Sequence, residues 1–175
     1  GLNGLAAHKR TRVGISRSFQ IPKPFASMTI KENLLIPLEY AAQEVDLGGT
    51  SIVEEADKII DTIGLAEKAD QLTSGLTQIE MRKLELARAM AVKPKLLISD
   101  EAMAGLSSSE VDDILKILIA LNEATKITII MIEHIMRAVM SFSERVVCLD
   151  AGKVIANATP DEVIKIPAVE KAYLG

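Results

Sequence analysis

Between Leu76 and Leu106 the chain reads LTQIEMRKLELARAMAVKPKLLISDEAMAGL, and this stretch narrows the choice of fold further than any other. A helix-forming segment carrying Arg82, Lys83, Glu85 and Arg88 breaks at Lys93 and Pro94, since proline cannot continue a helix and restricts the residue before it. The apolar run Lys95–Ser99 then reads as a strand that delivers two adjacent carboxylates, Asp100 and Glu101. Acids at the end of a buried strand lie at the sheet edge, where open α/β sheets bind ligands. One such carboxylate can hold a magnesium ion while its neighbour orients a water molecule. Strand-end acids also cap following helices, so the pair by itself leaves both readings open.

Bulk properties exclude several classes. With 175 residues and 49% hydrophobic content, the chain can fill the core of one domain, with room for a subdomain. A net charge of −4 gives no global attraction to nucleic acid, which is not expected as a partner. The single Cys148, inside the apolar run Val146–Leu149, cannot form an internal disulfide and is expected to pack as a small hydrophobe in a reducing, cytosolic setting. No apolar run reaches the roughly 20 residues that span a bilayer. The opening GLNGLAAHKR lacks the apolar core of a secretion signal, so membrane association is expected through a partner.

In chain order, the basic opening to Arg12 reads as a solvated connection and Val13–Gln20 as a short strand. Pro22 and Pro24 then force extended backbone. Thr29-x-x-Glu32 is a capping box, predicting a helix from Ile30 that Pro37 should kink or restart and that resumes through Tyr40–Val45. The paired Gly48 and Gly49 mark a turn. Val53, Ala56, Ile59, Ile60 and Ile63 recur at helical spacing up to Gly64, with a short further turn over Leu65–Asp70. Residues 30 to about 91 thus read as a run of helices without a strand. After the acidic pair, Ser107-x-x-Glu110 opens a helix with an apolar stripe through Val111, Ile114, Leu115, Leu118 and Leu121. The run Ile127–Ile132 predicts a central parallel strand covered on both faces. Glu133 and His134 follow it, then a helix to Phe142, strands at Arg145–Leu149 and Lys153–Ala156, and two short helices, Pro160–Lys165 and Ala168–Tyr173.

The order of LTQIE, helix, LLISDE and AGLS resembles the signature, Walker B and D-loop segments of ABC-transporter ATPase subunits. RSFQIPKPFASMTIKENL, KLELARAM, EAMAGL, IEHIM and the C-terminal GKVIANATPDEVIKIPAVEKAYLG are similar to the branched-chain amino acid importer branch. The resemblance implies an α/β fold, a partial P-loop-type parallel sheet with an inserted helical subdomain at about 30–91, residues 1–29 and 92–175 forming the α/β core. It implies Asp100 and the Q-loop Gln20 as magnesium ligands, Glu101 as the residue that polarises the attacking water, His134 as the switch histidine at the terminal phosphate, and Thr77 in the nucleotide-binding signature. It further implies ATP and magnesium as cofactors, a second ATPase subunit and transmembrane permease subunits as partners, and a cytoplasmic position at the inner face of the membrane.

Departures from the family pattern shape a second reading. None of the ten glycines is followed by Lys-Ser or Lys-Thr, so the phosphate-cradling G-x-x-x-x-G-K-[ST] loop has no counterpart in these residues. Ile79 and Glu80 stand where the signature is expected to carry glycine and glutamine, placing a branched side chain and a negative charge at the helix start. Ala102 replaces the usual proline after Glu101, and Ser99 is more polar than the usual aliphatic residue. The chain is therefore expected to be inactive alone, to bind ATP weakly at the signature, and to expose apolar sheet edge that promotes association. The alternative is a non-catalytic, degenerate ABC-like interaction or dimerisation module.

Overall fold

The computed structural model describes residues 2–18, 22–42 and 48–174, which fall in two compact units, Gly1–Ile132 and Glu133–Gly175. The first unit opens with α1 (Ala7–Arg12) and β1 (Ile15–Ser18). It continues through α2 (Ile30–Ala42), α3 (Ile52–Thr62), two 3-10 turns at Ala66–Lys68 and Thr73–Gly75, and α4 (Gln78–Ala91). β2 (Leu96–Asp100), α5 (Ser108–Thr125) and β3 (Thr128–Ile132) complete it.

The strands form a parallel sheet in the order β1-β2-β3, with Ser18 opposite Ser99 and Asp100 opposite Ile132. Parallel pairing brings all three C-terminal strand ends to one edge, and the middle strand carries Asp100 there. Leu97 of β2 is fully buried, as are Leu84 of α4 and Ile114 and Leu118 of α5. Helix starts are closed by side chains: Thr29, Ser51, Thr77 and Ser107 each pair reciprocally with a glutamate three residues on.

Several expectations are corrected, the first being that the basic opening is only a connection, since Ala7–Arg12 forms α1. α2 runs through Pro37 without restarting. The proline removes one helical hydrogen bond, but Ile30, Leu34 and Leu38 are wholly buried on one side of the helix and hold it in a single piece. β3 is not covered on both faces: among the described residues it pairs only with β2, and Ile130 and Ile132 are each 47% exposed. Its hydrophobic run meets the demands of a central strand, but this unit provides no neighbour on its outer side. The sequence reading of 43–45 as helix, and of 46–47 in the turn, lies outside the described residues.

The second unit contains α6 (Met136–Phe142), an antiparallel hairpin of β4 (Val146–Asp150) and β5 (Lys153–Ala158), and short helices α7 (Pro160–Val163) and α8 (Pro167–Val169). A π-helical turn, Glu170–Leu174, replaces the ordinary helix expected to Tyr173. The hairpin turns on Ala151 and Gly152, at φ +46° and +78°, the left-handed pair that a tight two-residue hairpin requires. Val146, Cys148 and Ala156 pack against Val163 and Val169. Cys148 is buried as expected, and burial raises its thiol pKa. Tyr173 Oη donates to Leu149 O at 2.6 Å, tying the last turn to the hairpin.

Candidate functional site

The acidic strand end is built by β2 and the turn after it. Glu101 sits at φ +47°, a left-handed conformation that is unfavourable for a residue with a Cβ, and its N–H donates to Ile132 O at 2.9 Å. The end of β3 thereby holds the backbone of Glu101 in place. On the same edge Arg17 of β1 donates through Nη2 to Asp100 Oδ2. Arg17 lies opposite Ile98 in the register, and Asp100 is two residues further along β2, so both side chains leave the same face of the sheet. On the opposite face, Ser18 and Ser99 are register partners at 2% and 0% exposure, and neither hydroxyl finds a protein hydrogen-bond partner.

The acidic pair can be tested as a magnesium site. Among the described residues no group of three or more His, Cys, Asp or Glu converges on one point. One or two carboxylates completed by water and phosphate oxygens is how magnesium is ordinarily held, and Asp100 with Glu101 is such a donor set. The guanidinium of Arg17 already places a cation at Asp100. The residues present fit a magnesium ion whose remaining ligands are water or phosphate oxygens.

Gln20, the other expected ligand, lies outside the described residues. The backbone that follows it is clamped by the helices. Asn33 Oδ1 accepts from Phe25 N at 2.8 Å, while its Nδ2 donates to Phe25 O at 3.1 Å and Thr29 O at 2.9 Å. Thr73 Oγ1 also donates to Phe25 O, at 3.1 Å. From α4, Arg88 donates to Lys23 O at 3.0 Å and lies over the Phe25 ring, 5.1 Å from its centroid.

Thr77 is the N-cap of α4. Its hydroxyl accepts from Glu80 N at 3.4 Å, and Glu80 Oε2 accepts from Thr77 N at 2.9 Å. Lys68 Nζ stands 2.6 Å from Glu80 Oε1. The ion pair with Lys68, followed by the bond from Thr77 N–H, holds the Glu80 carboxyl below its ordinary pKa. The negative charge expected at the signature is thus turned back onto its own helix and neutralised. Ile79 is half-buried.

The turn after Glu101 packs against this helix start. Gln78 Nε2 and Arg82 Nη2 both donate to Ala104 O, at 3.4 and 3.3 Å. Gly105 has φ +78°, and a Cβ there would stand 2.7 Å from Gln78 Nε2. The loop that follows the acidic pair therefore docks on the first turns of α4, the helix that Thr77 caps. His134, exposed between β3 and α6, belongs to the second unit. Arg17, Lys68 and Asn33 were not singled out from the sequence. For Arg17 the available signal was an arginine in a strand with an acid at the end of another, which becomes a pair only once the register is known.

Comparison with known proteins agrees with this geometry. Residues 3–104 match the ABC transporter family profile. The high-affinity branched-chain amino acid transport ATP-binding protein BraF of Pseudomonas aeruginosa is 34% identical over 185 aligned positions, covering 99% of this chain and 72% of the relative. The corresponding LivG protein of Escherichia coli K12 is 32% identical over the same shares. Among solved structures, MJ1267, an ATP-binding cassette of an ABC transporter, superposes with a TM-score of 0.79 at 28% identity, covering 95% of this chain and 71% of that one. No helix among the described residues is long and apolar enough to cross a membrane. A strand-end acidic pair, the capped helix α4 docked on the loop behind it, and these relatives together make the chain a member of the ABC transporter family, an ATP-binding domain homologous to the ATP-binding subunits of branched-chain amino acid transporters.

Proposed function

We propose that the chain serves as the ATP-binding subunit of an importer of the branched-chain amino acid type, working with a second ATPase subunit and transmembrane permease subunits at the cytoplasmic face of the membrane. In this reading Asp100 and Gln20 hold magnesium, Glu101 orients the attacking water, His134 stands at the terminal phosphate and Thr77 faces the nucleotide of the second subunit. Magnesium, when bound, neutralises charge on the phosphates. The observation that carries the reading is the placement of Asp100 and Glu101 at the C-terminal edge of the middle parallel strand, with Glu101 held in left-handed backbone. These 175 residues contain no lysine-bearing phosphate loop, so their own turnover is expected to be very low.

The test is to fuse a family Walker A segment upstream and to measure Mg-ATP binding by calorimetry and hydrolysis by phosphate release. Binding and turnover should appear in the fusion, and Glu101→Gln should remove the turnover while leaving the binding. A folded fusion that neither binds nor hydrolyses Mg-ATP overturns the reading. A second reading, a non-catalytic interaction or dimerisation module, draws its support from the Thr77 and Glu80 capping box, which engages helix-start donors that an anion would otherwise use. That reading predicts self-association without nucleotide, measured by sedimentation.

A further inference from the structure

We propose that Arg17 is the internal counter-ion of Asp100, and that a divalent cation engages this carboxylate only by displacing the guanidinium. The inference rests on the reading of Asp100 as the metal-holding carboxylate. The two residues lie 83 positions apart and meet only because β1 and β2 are register neighbours, with both side chains on one face. The strand end carries the carboxylates of Asp100 and Glu101, and the guanidinium of Arg17 is paired with the first of them. An arginine keeps its charge at every physiological pH, and its planar fork suits a carboxylate.

The partners differ in exposure. The Arg17 side chain is 54% exposed and that of Asp100 is 20% exposed. The guanidinium can therefore swing into solvent while the carboxylate stays at the sheet edge, and an exposed ion pair is weak enough to exchange. A divalent ion bound to the same carboxylate would stand within a few ångströms of the guanidinium, where like charges repel. Occupation by one cation thus disfavours the other. In the resting chain Arg17 keeps the acidic edge partly neutral, and once displaced it becomes a free cation beside the phosphates that accompany the metal.

The test uses Mn2+ alone, its free aqua ion measured by electron paramagnetic resonance, with the whole 175-residue chain at low ionic strength. Arg17→Gln should bind Mn2+ about fivefold more tightly than the parent. Arg17→Lys, which keeps the charge, should stay near the parent, and adding Asp100→Asn to Arg17→Gln should cancel the gain. If Asp100→Asn weakens Mn2+ binding but Arg17→Gln leaves the affinity unchanged, the counter-ion inference falls while the metal reading of Asp100 stands. If no variant binds at millimolar Mn2+, or Asp100→Asn has no effect in either background, the metal reading falls and takes this inference with it.

Discussion

Lys68 Nζ lies 2.6 Å from Glu80 Oε1, so a lysine from a 3-10 turn neutralises the acid that closes the first turn of α4. Because Glu80 has its pKa lowered in the folded chain, the stabilisation it contributes is present above about pH 4.5 and is lost as pH falls through the lowered value. Lys68→Met should cost about 1 kcal/mol at pH 7 and flatten the acid limb of the stability profile. Urea unfolding between pH 3 and 7, followed by circular dichroism, checks both; parallel profiles for parent and variant would count against the pair.

Asn33 is fully buried and its amide satisfies both backbone groups of Phe25. Asn33→Ala takes the Asn33 acceptor from Phe25 N–H, while Phe25 O keeps Met28 N–H and the Thr73 hydroxyl, and should cost about 2 kcal/mol, more than the loss of a typical exposed ion pair. Hydrogen exchange should show the segment around Phe25 opening first in this variant, and uniform loss of protection would argue against a local clamp.

Glu101 in left-handed backbone stores strain that glycine would not carry. Glu101→Gly should be about 1 kcal/mol more stable than Glu101→Ala, although both remove the carboxylate. Equal midpoints in thermal melts would show that the turn relaxes without cost.

Ser18 and Ser99 bury hydroxyls that make no protein hydrogen bond. Ser18→Ala with Ser99→Ala should be neutral or stabilising by about 1 kcal/mol, because removing both groups also removes their desolvation cost. Destabilisation by the double variant would reveal a hidden partner for these groups.

Ile130 and Ile132 are exposed on β3, an edge strand without charge or proline. The chain should self-associate at micromolar concentration, and Ile130→Lys should shift it toward monomer in sedimentation. A monomeric parent at all concentrations would remove this expectation.

Much of this protein was legible without coordinates, because the determining interactions are local. The glutamates three residues after Thr29, Thr77 and Ser107 announce their helix starts, and the capping bonds form within those few residues. The stripe through Val111, Ile114 and Leu118 sets the buried side of α5, and the lone Lys93-Pro94 break separates α4 from β2. The order of motifs identified the family, since strand, acidic pair and following turn must appear in sequence to meet at one sheet edge. Only the tertiary structure could decide the rest. Arg17 reaches Asp100 across 83 residues and Lys68 reaches Glu80 across 12, and no periodicity encodes which strand or turn lies beside which. Pro37 stays inside α2 because burial of Leu34 and Leu38 outweighs a local propensity. The apolar run of β3 records a demand for cover, but whether that cover is present depends on which neighbours pack beside it, and that is a property of the assembled sheet rather than of the strand.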